Sequence, residues 1–217
     1  MFFNGKTVFF NSQPVITGSA GVVGKKEGEG PLGSEFDAIF EDTTMGQDSF
    51  ELAESAMLHA AIIRALSNAG KSPSDVSFVM TGDLLDQCVG SCFALKDLQI
   101  PFIGMYGACS TMALTLANCA ITVDGGAKCC VAGASSHFCS SERQFRFPLE
   151  YGGQRPPTAQ WTVTGAGSAV VEQLTDQNAE NSIKIKAVQI GTITDLGIKD
   201  ANNMGAAMAP VSGRIRP

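Results

Sequence analysis

Between Val76 and Ala134 the chain alternates short apolar runs with longer helical ones, and this alternation constrains the fold most. Val76-Ser77-Phe78-Val79-Met80-Thr81 reads as a strand ended by Gly82-Asp83, and Leu84 to Asp97 reads as a helix. A second short strand over 101–105 leads through Tyr106-Gly107-Ala108-Cys109-Ser110-Thr111 into a helix reaching Val123. Asp124-Gly125-Gly126 stops that helix, and 128–134 reads as a third buried strand. Strand–helix–strand–helix–strand predicts a parallel sheet with right-handed crossovers. Ligands on such sheets bind beyond the carboxyl ends of the strands. Gly82-Asp83, Gly107-Cys109 and Ser135-Ser136-His137 all emerge at that edge.

The turn before the second helix is the most chemical of the three ends. Gly107 and Ala108 are small enough for a sharp strand-to-helix turn, and Ser110 or Thr111 is expected to cap the new helix. Cys109 then stands at a helix N-terminus, where unpaired N–H groups and the macrodipole favour an anion, a thiolate included. The alternative is a small residue packed under a helix cap.

The flanks are less regular. Val8, Phe9 and Phe10, then Pro14, Val15 and Ile16, read as strands around a polar turn. Gly18 to Gly33 holds six glycines and reads as a long loop, either a solvated excursion or a cover over a pocket mouth. Asp48-Ser49-Phe50-Glu51 is a capping-box pattern opening a helix that ends near Asn68, before Gly70. Ala53, Ala56, Met57, Ala60 and Ile63 predict its packing stripe, and His59 is read as a surface or packing residue. Residues 140–158 combine Arg143, Arg146 and Arg155 with Phe147, Pro148 and Tyr151 without period, which suits a stiff loop against an anion or a partner chain. Trp161-Thr162-Val163-Thr164 leads into Gly165-Ala166-Gly167-Ser168-Ala169-Val170-Val171, a strand of small residues where backbones come close. It is not a dinucleotide fingerprint, because the third glycine and the following helix are missing. Ser182 to Ile193 reads as one further strand.

A formal charge of −6 argues against a nucleic-acid partner. The seven cysteines are odd in number and fall largely in apolar segments, which suits a reducing compartment. Cys88 and Cys92 lie four apart on a predicted helix, but no matching ligand pair follows, so no metal site is expected. Cys129 and Cys130 should point to opposite faces of their strand. The first residues are not expected to form a signal sequence, and no apolar run in the sequence reaches spanning length.

Taken together, the elbow and the Thr164–Val171 strand resemble the first half of a thiolase-like α/β fold with a mixed, largely parallel sheet. More specifically, the chain resembles the stage V sporulation protein AD family of spore-forming bacteria. The resemblance is carried by Gly30-Pro31-Leu32-Gly33, Gly82-Asp83-Leu84-Leu85, the Cys109 elbow, Ala134-Ser135-Ser136-His137, the segments 143–148 and 150–154, Trp161 to Gly167, and Asn202 to Pro210.

That resemblance implies a sporulation protein that binds dipicolinic acid and helps load its calcium complex into the spore with membrane-embedded partners. It also implies a homodimer in the full-length family, no cofactor, and a location in the cytoplasm or peripheral to the spore inner membrane. Residues 1–210 are expected to form an incomplete thiolase-like domain lacking its second half, followed by a divergent tail over 211–217. Cys109 matches the superfamily nucleophile. An acyl-transferring enzyme also needs a base and oxyanion donors, and the only histidines are His59 and His137. Acyl transfer through Cys109 therefore stays as one alternative, and a non-catalytic subunit of a spore membrane complex as another. For a planar aromatic dianion the expected contacts are helix N–H groups beside Cys109 and Ser110, a cation from Arg143 or Arg146, and a flat wall from Phe147, Tyr151 or Trp161. Asp83 and Gln87 are placed to orient neighbours or meet a bound calcium, and His137 to face the same rim.

Overall fold

A computed structural model describes residues 1–84, 88–140, 162–180, 182–199, 205, 206 and 208. The predicted alternation forms β5 (Phe78–Asp83), α3 (Val89–Leu95), β6 (Phe102–Gly104), α4 (Thr111–Asp124) and β7 (Cys129–Ser136). β5 pairs in parallel with both β6 and β7. The sheet then extends through β8 (Gly165–Glu172), β3 (Val15–Gly24) and β4 (Ala38–Phe40), in the order β4-β3-β8-β7-β5-β6. β8 runs antiparallel to both β7 and β3, so the sheet is mixed. A small second sheet joins β1 (Phe2–Asn4), β2 (Thr7–Phe9) and β10 (Ala187–Gln189), while β9 (Ile183–Lys184) pairs with β3.

The central strands are apolar at consecutive positions because both faces of the sheet are covered. Alternation sends Val79, Cys129, Val131 and Val170 to one core, with Met57, Leu58, Ile62 and Leu66 of α2 (Phe50–Asn68). Met80, Cys130, Ala132 and Val171 go to the other core, with Cys119 and Val123 of α4. Cys129 and Cys130 thus face opposite ways, as their adjacency requires.

Several sequence expectations are corrected. The long loop expected from Gly18 begins as the second half of β3, followed by the short helix α1 (Lys25–Gly28). Its glycines serve close packing: a Cβ on Gly18 would stand 2.6 Å from the Ala65 carbonyl oxygen of α2. Ser49, not Asp48, caps α2, accepting the Leu52 N–H at 3.2 Å. The buried face of that helix is also rotated from the predicted stripe, with Ile63 exposed and Leu58, Ala61, Ile62 and Ala65 fully buried. Among the described residues, the helix predicted from Leu84 to Asp97 is represented by α3. Cys88 precedes it with φ 54°, its half-buried thiol on the Met105 carbonyl at 3.5 Å, while Cys92 is exposed, so the two do not face one partner. The single strand expected over 182–193 is broken into β9 and β10, which serve different sheets. Among the described residues no helix is long and apolar enough to cross a membrane. Residues 211–217 lie outside the described residues.

Asp124, at the end of α4, ties the N-terminal hairpin to the domain. It accepts the Ser12 N–H at 2.8 Å and the Ser12 hydroxyl at 2.7 Å, and its other oxygen lies 2.6 Å from the Met1 ammonium. Burial alone raises such a carboxyl, but the hydrogen bonds from the ammonium and Ser12 outweigh it and hold the group at about 2. A lowered carboxyl stabilises the fold above its ordinary value of 3.8, and that contribution is lost as pH falls towards 2. The ammonium is 36% exposed, so water screens part of the attraction. Asp124→Asn is expected to cost about 1–2 kcal/mol at neutral pH, with the deficit shrinking below pH ~3. Urea melts across that range test this.

Candidate functional site

The carboxyl ends of β5, β6 and β7 converge as the alternation predicts. Met105, leaving β6, donates its N–H to the Thr81 carbonyl at 2.9 Å. Its own carbonyl lies so close over β5 that a Cβ on Gly82 would stand 1.8 Å from the oxygen. From there the chain turns through Gly107, with φ −145°, into a single 3-10 turn over Ala108–Ser110, and α4 begins at Thr111. The left-handed residue of the elbow is Ala108, at φ 46°, and not Gly107.

The elbow hydroxyls do not cap α4 as expected. Ser110 Oγ donates back to the Gly107 carbonyl at 2.7 Å. Thr111 Oγ1 donates to the Ala108 carbonyl at 2.8 Å and accepts the Gly107 N–H at 3.2 Å. Both stitch the turn to itself, and no side chain caps the helix.

Exposed Cys109 opens onto a cleft of about 530 Å³. Its walls are Ala108, Thr111 and Met112 of the elbow, Leu84 after β5, Ala134 to Ser136 of β7, Gly165 to Gly167 of β8, and Val22 and Val23 of β3. Small residues on β8 have two uses here. A Cβ on Gly165 would lie 3.1 Å from the Val22 carbonyl oxygen, whereas one on Gly167 would meet nothing within 4 Å and would fill the cleft instead.

The structure brings only part of the predicted site together. Cys109 lines the cleft. Ser110 instead borders a second groove, about 710 Å³, between α4 and the segment around β10. Asp83 lies beneath the rim, 1% exposed, its Oδ2 accepting the N–H and hydroxyl of Ser91, each at 2.9 Å. His137 is equally buried and does not line the cleft. Its Nε2–H donates to the Thr43 carbonyl at 2.8 Å and its Nδ1 accepts the Cys139 N–H at 3.1 Å, which fixes the tautomer. Desolvation lowers its pKa, with the Thr43 carbonyl acting in the opposite sense. His59, on α2, packs against α3, its Nδ1 2.9 Å from the Ala94 carbonyl oxygen. Gln87, Arg143, Arg146, Phe147, Tyr151 and Trp161 lie outside the described residues.

Glu54 is the group that sequence reasoning missed. Its side chain is fully buried in α2 and accepts the Ser135 hydroxyl at 3.0 Å and the Ser140 hydroxyl at 2.8 Å. Burial foremost, with the charge of Asp83 adding to it, pushes its carboxyl up to about 7. The signal was available, since Glu54 precedes Leu58, Ala61, Ile62 and Ala65 on one helical row.

Against known proteins, the profile of the stage V sporulation protein AD (SpoVAD) family matches residues 4–215. Stage V sporulation protein AD of Bacillus subtilis (strain 168) is 42% identical over 214 residues, covering 98% of this chain and 62% of that protein. The chain therefore spans less than two thirds of that relative's length. Among solved structures, a single-residue variant of OleA from Xanthomonas campestris, bound with cerulenin, aligns at TM-score 0.54 and 12% identity, over 81% of this chain and 60% of that one. The 3-oxoacyl-(acyl carrier protein) synthase III of Xanthomonas oryzae pv. oryzae aligns at TM-score 0.50 and 15% identity, over 76% and 57%. At these identities the structural likeness speaks for the fold alone.

Proposed function

Since this chain belongs to the stage V sporulation protein AD family and carries a thiolase-like fold, we propose that it binds dipicolinate in the Cys109 cleft and serves dipicolinate uptake into the developing spore. The observation that carries the reading is the cleft itself, which opens at a helix N-terminus that no side chain caps. Its volume lies in the range of small-molecule sites, about 300–1,000 Å³. The positive end of a helix macrodipole suits an anion. The apolar lining suits an aromatic ring, and Arg143 or Arg146 is the cation assigned to its carboxylates.

Acyl transfer is the weaker reading, because neither histidine lines the cleft beside Cys109. Membrane proteins of the same sporulation complex and a second copy of the chain are the partners in this proposal.

A thermal melt with and without dipicolinate tests the reading. A ligand at 100-fold its dissociation constant adds about 2.7 kcal/mol, which for a chain of this size raises Tm by roughly 5–10 °C. Cys109→Trp, which fills the cleft, and Arg146→Ala should each remove most of that rise. An unchanged rise in both variants sinks the assignment. A mass shift on Cys109 after incubation with an acyl thioester would instead favour acyl transfer, and no response to either compound would favour the purely structural subunit.

A further inference from the structure

Ser135 and Ser136 are adjacent on β7 and therefore point to opposite faces of the sheet. Ser135 faces α2, where its hydroxyl donates to Glu54 at 3.0 Å. Ser136 shares its face with Cys130, Ala132 and Ala134 of β7 and with its ladder partner Gly165, the face that α4 covers. It is partly exposed and stands on the wall of the Cys109 cleft.

The two hydroxyls also differ in how they are satisfied. Ser136 Oγ is buried and has no hydrogen-bond partner among the described residues. Its neighbours explain why. Across the ladder β8 brings Gly165, which has no side chain. On the other side Leu84, whose N–H donates to the Ser135 carbonyl, brings only hydrocarbon. Thr111, on the elbow wall, spends its hydroxyl within the elbow. A buried hydroxyl without a partner costs stability, whereas a methyl group in its place costs little. The fold gains nothing from this serine, so its use lies in what enters the cleft. The rest of the wall narrows the choice. Phe36 lines it, with its ring so close to β3 that a Cβ on Gly21 would touch it at 3.4 Å. A ring beside one unspent hydroxyl suits a planar acid, with the ligand ring on Phe36 and a carboxylate oxygen accepting from Ser136. No hydrogen bond pins the Ser136 side chain, and its single torsion lets the hydroxyl turn from the wall to an acceptor in the cleft.

Resting on the reading of the cleft as a dipicolinate site, we propose that Ser136 and Phe36 are binding residues of that site: the Ser136 hydroxyl donates to one ligand carboxylate while the ligand ring lies against Phe36. The neighbouring serines then divide the work, Ser135 serving the fold and Ser136 the ligand.

Isothermal titration calorimetry with dipicolinate, paired with melts of the ligand-free proteins, tests this division. Ser136→Ala should weaken binding about tenfold or more, the effect of losing a hydrogen bond to a charged group, while its ligand-free Tm stays level or rises. Phe36→Leu, which keeps apolar bulk but removes the flat ring, should weaken binding about threefold or more. Ser135→Ala should do the reverse of Ser136→Ala, lowering Tm because Glu54 loses a donor and leaving affinity within about twofold. Unchanged affinity in Ser136→Ala or in Phe36→Leu overturns the inference and leaves the ligand reading standing. A lowered ligand-free Tm in Ser136→Ala overturns it as well, by showing that the hydroxyl serves the fold. A larger loss of affinity in Ser135→Ala than in Ser136→Ala overturns it by placing the ligand on the other face. No binding heat and no shift in Tm with dipicolinate in the unaltered chain overturns the ligand reading together with this inference.

Discussion

Gly82→Ala is expected to lower Tm by about 6–12 °C, a loss of about 3 kcal/mol. The methyl group would meet the Met105 carbonyl oxygen at 1.8 Å and Thr111 Cγ2 at 2.7 Å. Neither contact relaxes cheaply. Met105 is fixed by its own hydrogen bond to Thr81, and Thr111 is held by both its bonds within the elbow. Moving them means lifting the whole strand-to-helix turn off the end of β5. Loss of stability and loss of the cleft should therefore arrive together, and any residual folded protein should lose its response to dipicolinate. Gly167→Ala is the matched control. Its added methyl meets nothing within 4 Å, so the melt should stay within about 1 kcal/mol of the unaltered chain. If circular dichroism melts place Gly82→Ala that close as well, the tight approach between β5 and the elbow is not what positions Cys109.

The same contact shows why the rim was legible in the sequence and other parts were not. Residues 76–134 announce themselves because each strand and helix is encoded locally, by apolar runs bounded by Gly82-Asp83 and Asp124-Gly125-Gly126. β3 is different. Its Gly18 is chosen by the end of α2, where Ala65 and the capping Ala69 lie far along the chain and press against it, while Gly21 and Gly24 face Phe36 and Thr164. Read locally, the same glycines look like a loop. The break between β9 and β10 is likewise set by two different sheets competing for one segment. Within the site, composition placed Cys109 correctly at a strand–helix junction. It could not tell a hydroxyl that caps α4 from one that closes the elbow, because Ser110 and Thr111 can do either. His137 looked like a rim residue because it follows a strand end, yet Thr43 draws its ring into the interior. Glu54 escaped notice because its neighbours Glu51 and Ser55 suggest a polar helix start, although its row is otherwise apolar.

Glu54 should also leave a mark on stability that needs no ligand. Its carboxyl moves from an ordinary 4.5 to about 7 on folding, chiefly through burial, which at about 1.4 kcal/mol per pH unit amounts to about 3 kcal/mol. The folded state holds the proton more tightly than the unfolded chain. Its contribution is therefore complete below pH 4.5, is lost as pH rises towards 7, and stays lost above that. Other groups act elsewhere or in the opposite sense. Asp124 gives up its contribution only in acid, below its ordinary value of 3.8. His137, lowered by burial, favours the fold more as pH rises towards its ordinary value of 6.5 and no further above it, partly hiding Glu54 in a melt of the unaltered chain. The difference between that chain and Glu54→Gln cancels those shared effects. Near pH 5 the substitution should be neutral or cost about 1 kcal/mol, since a neutral amide replaces a neutral acid. By pH 8 it should stabilise the protein by about 2–3 kcal/mol, because it no longer carries a buried charge beside Asp83. Urea melts of both proteins at half-unit steps from pH 5 to 8 measure the crossover. A difference that stays constant over that range would mean Glu54 does not change protonation there.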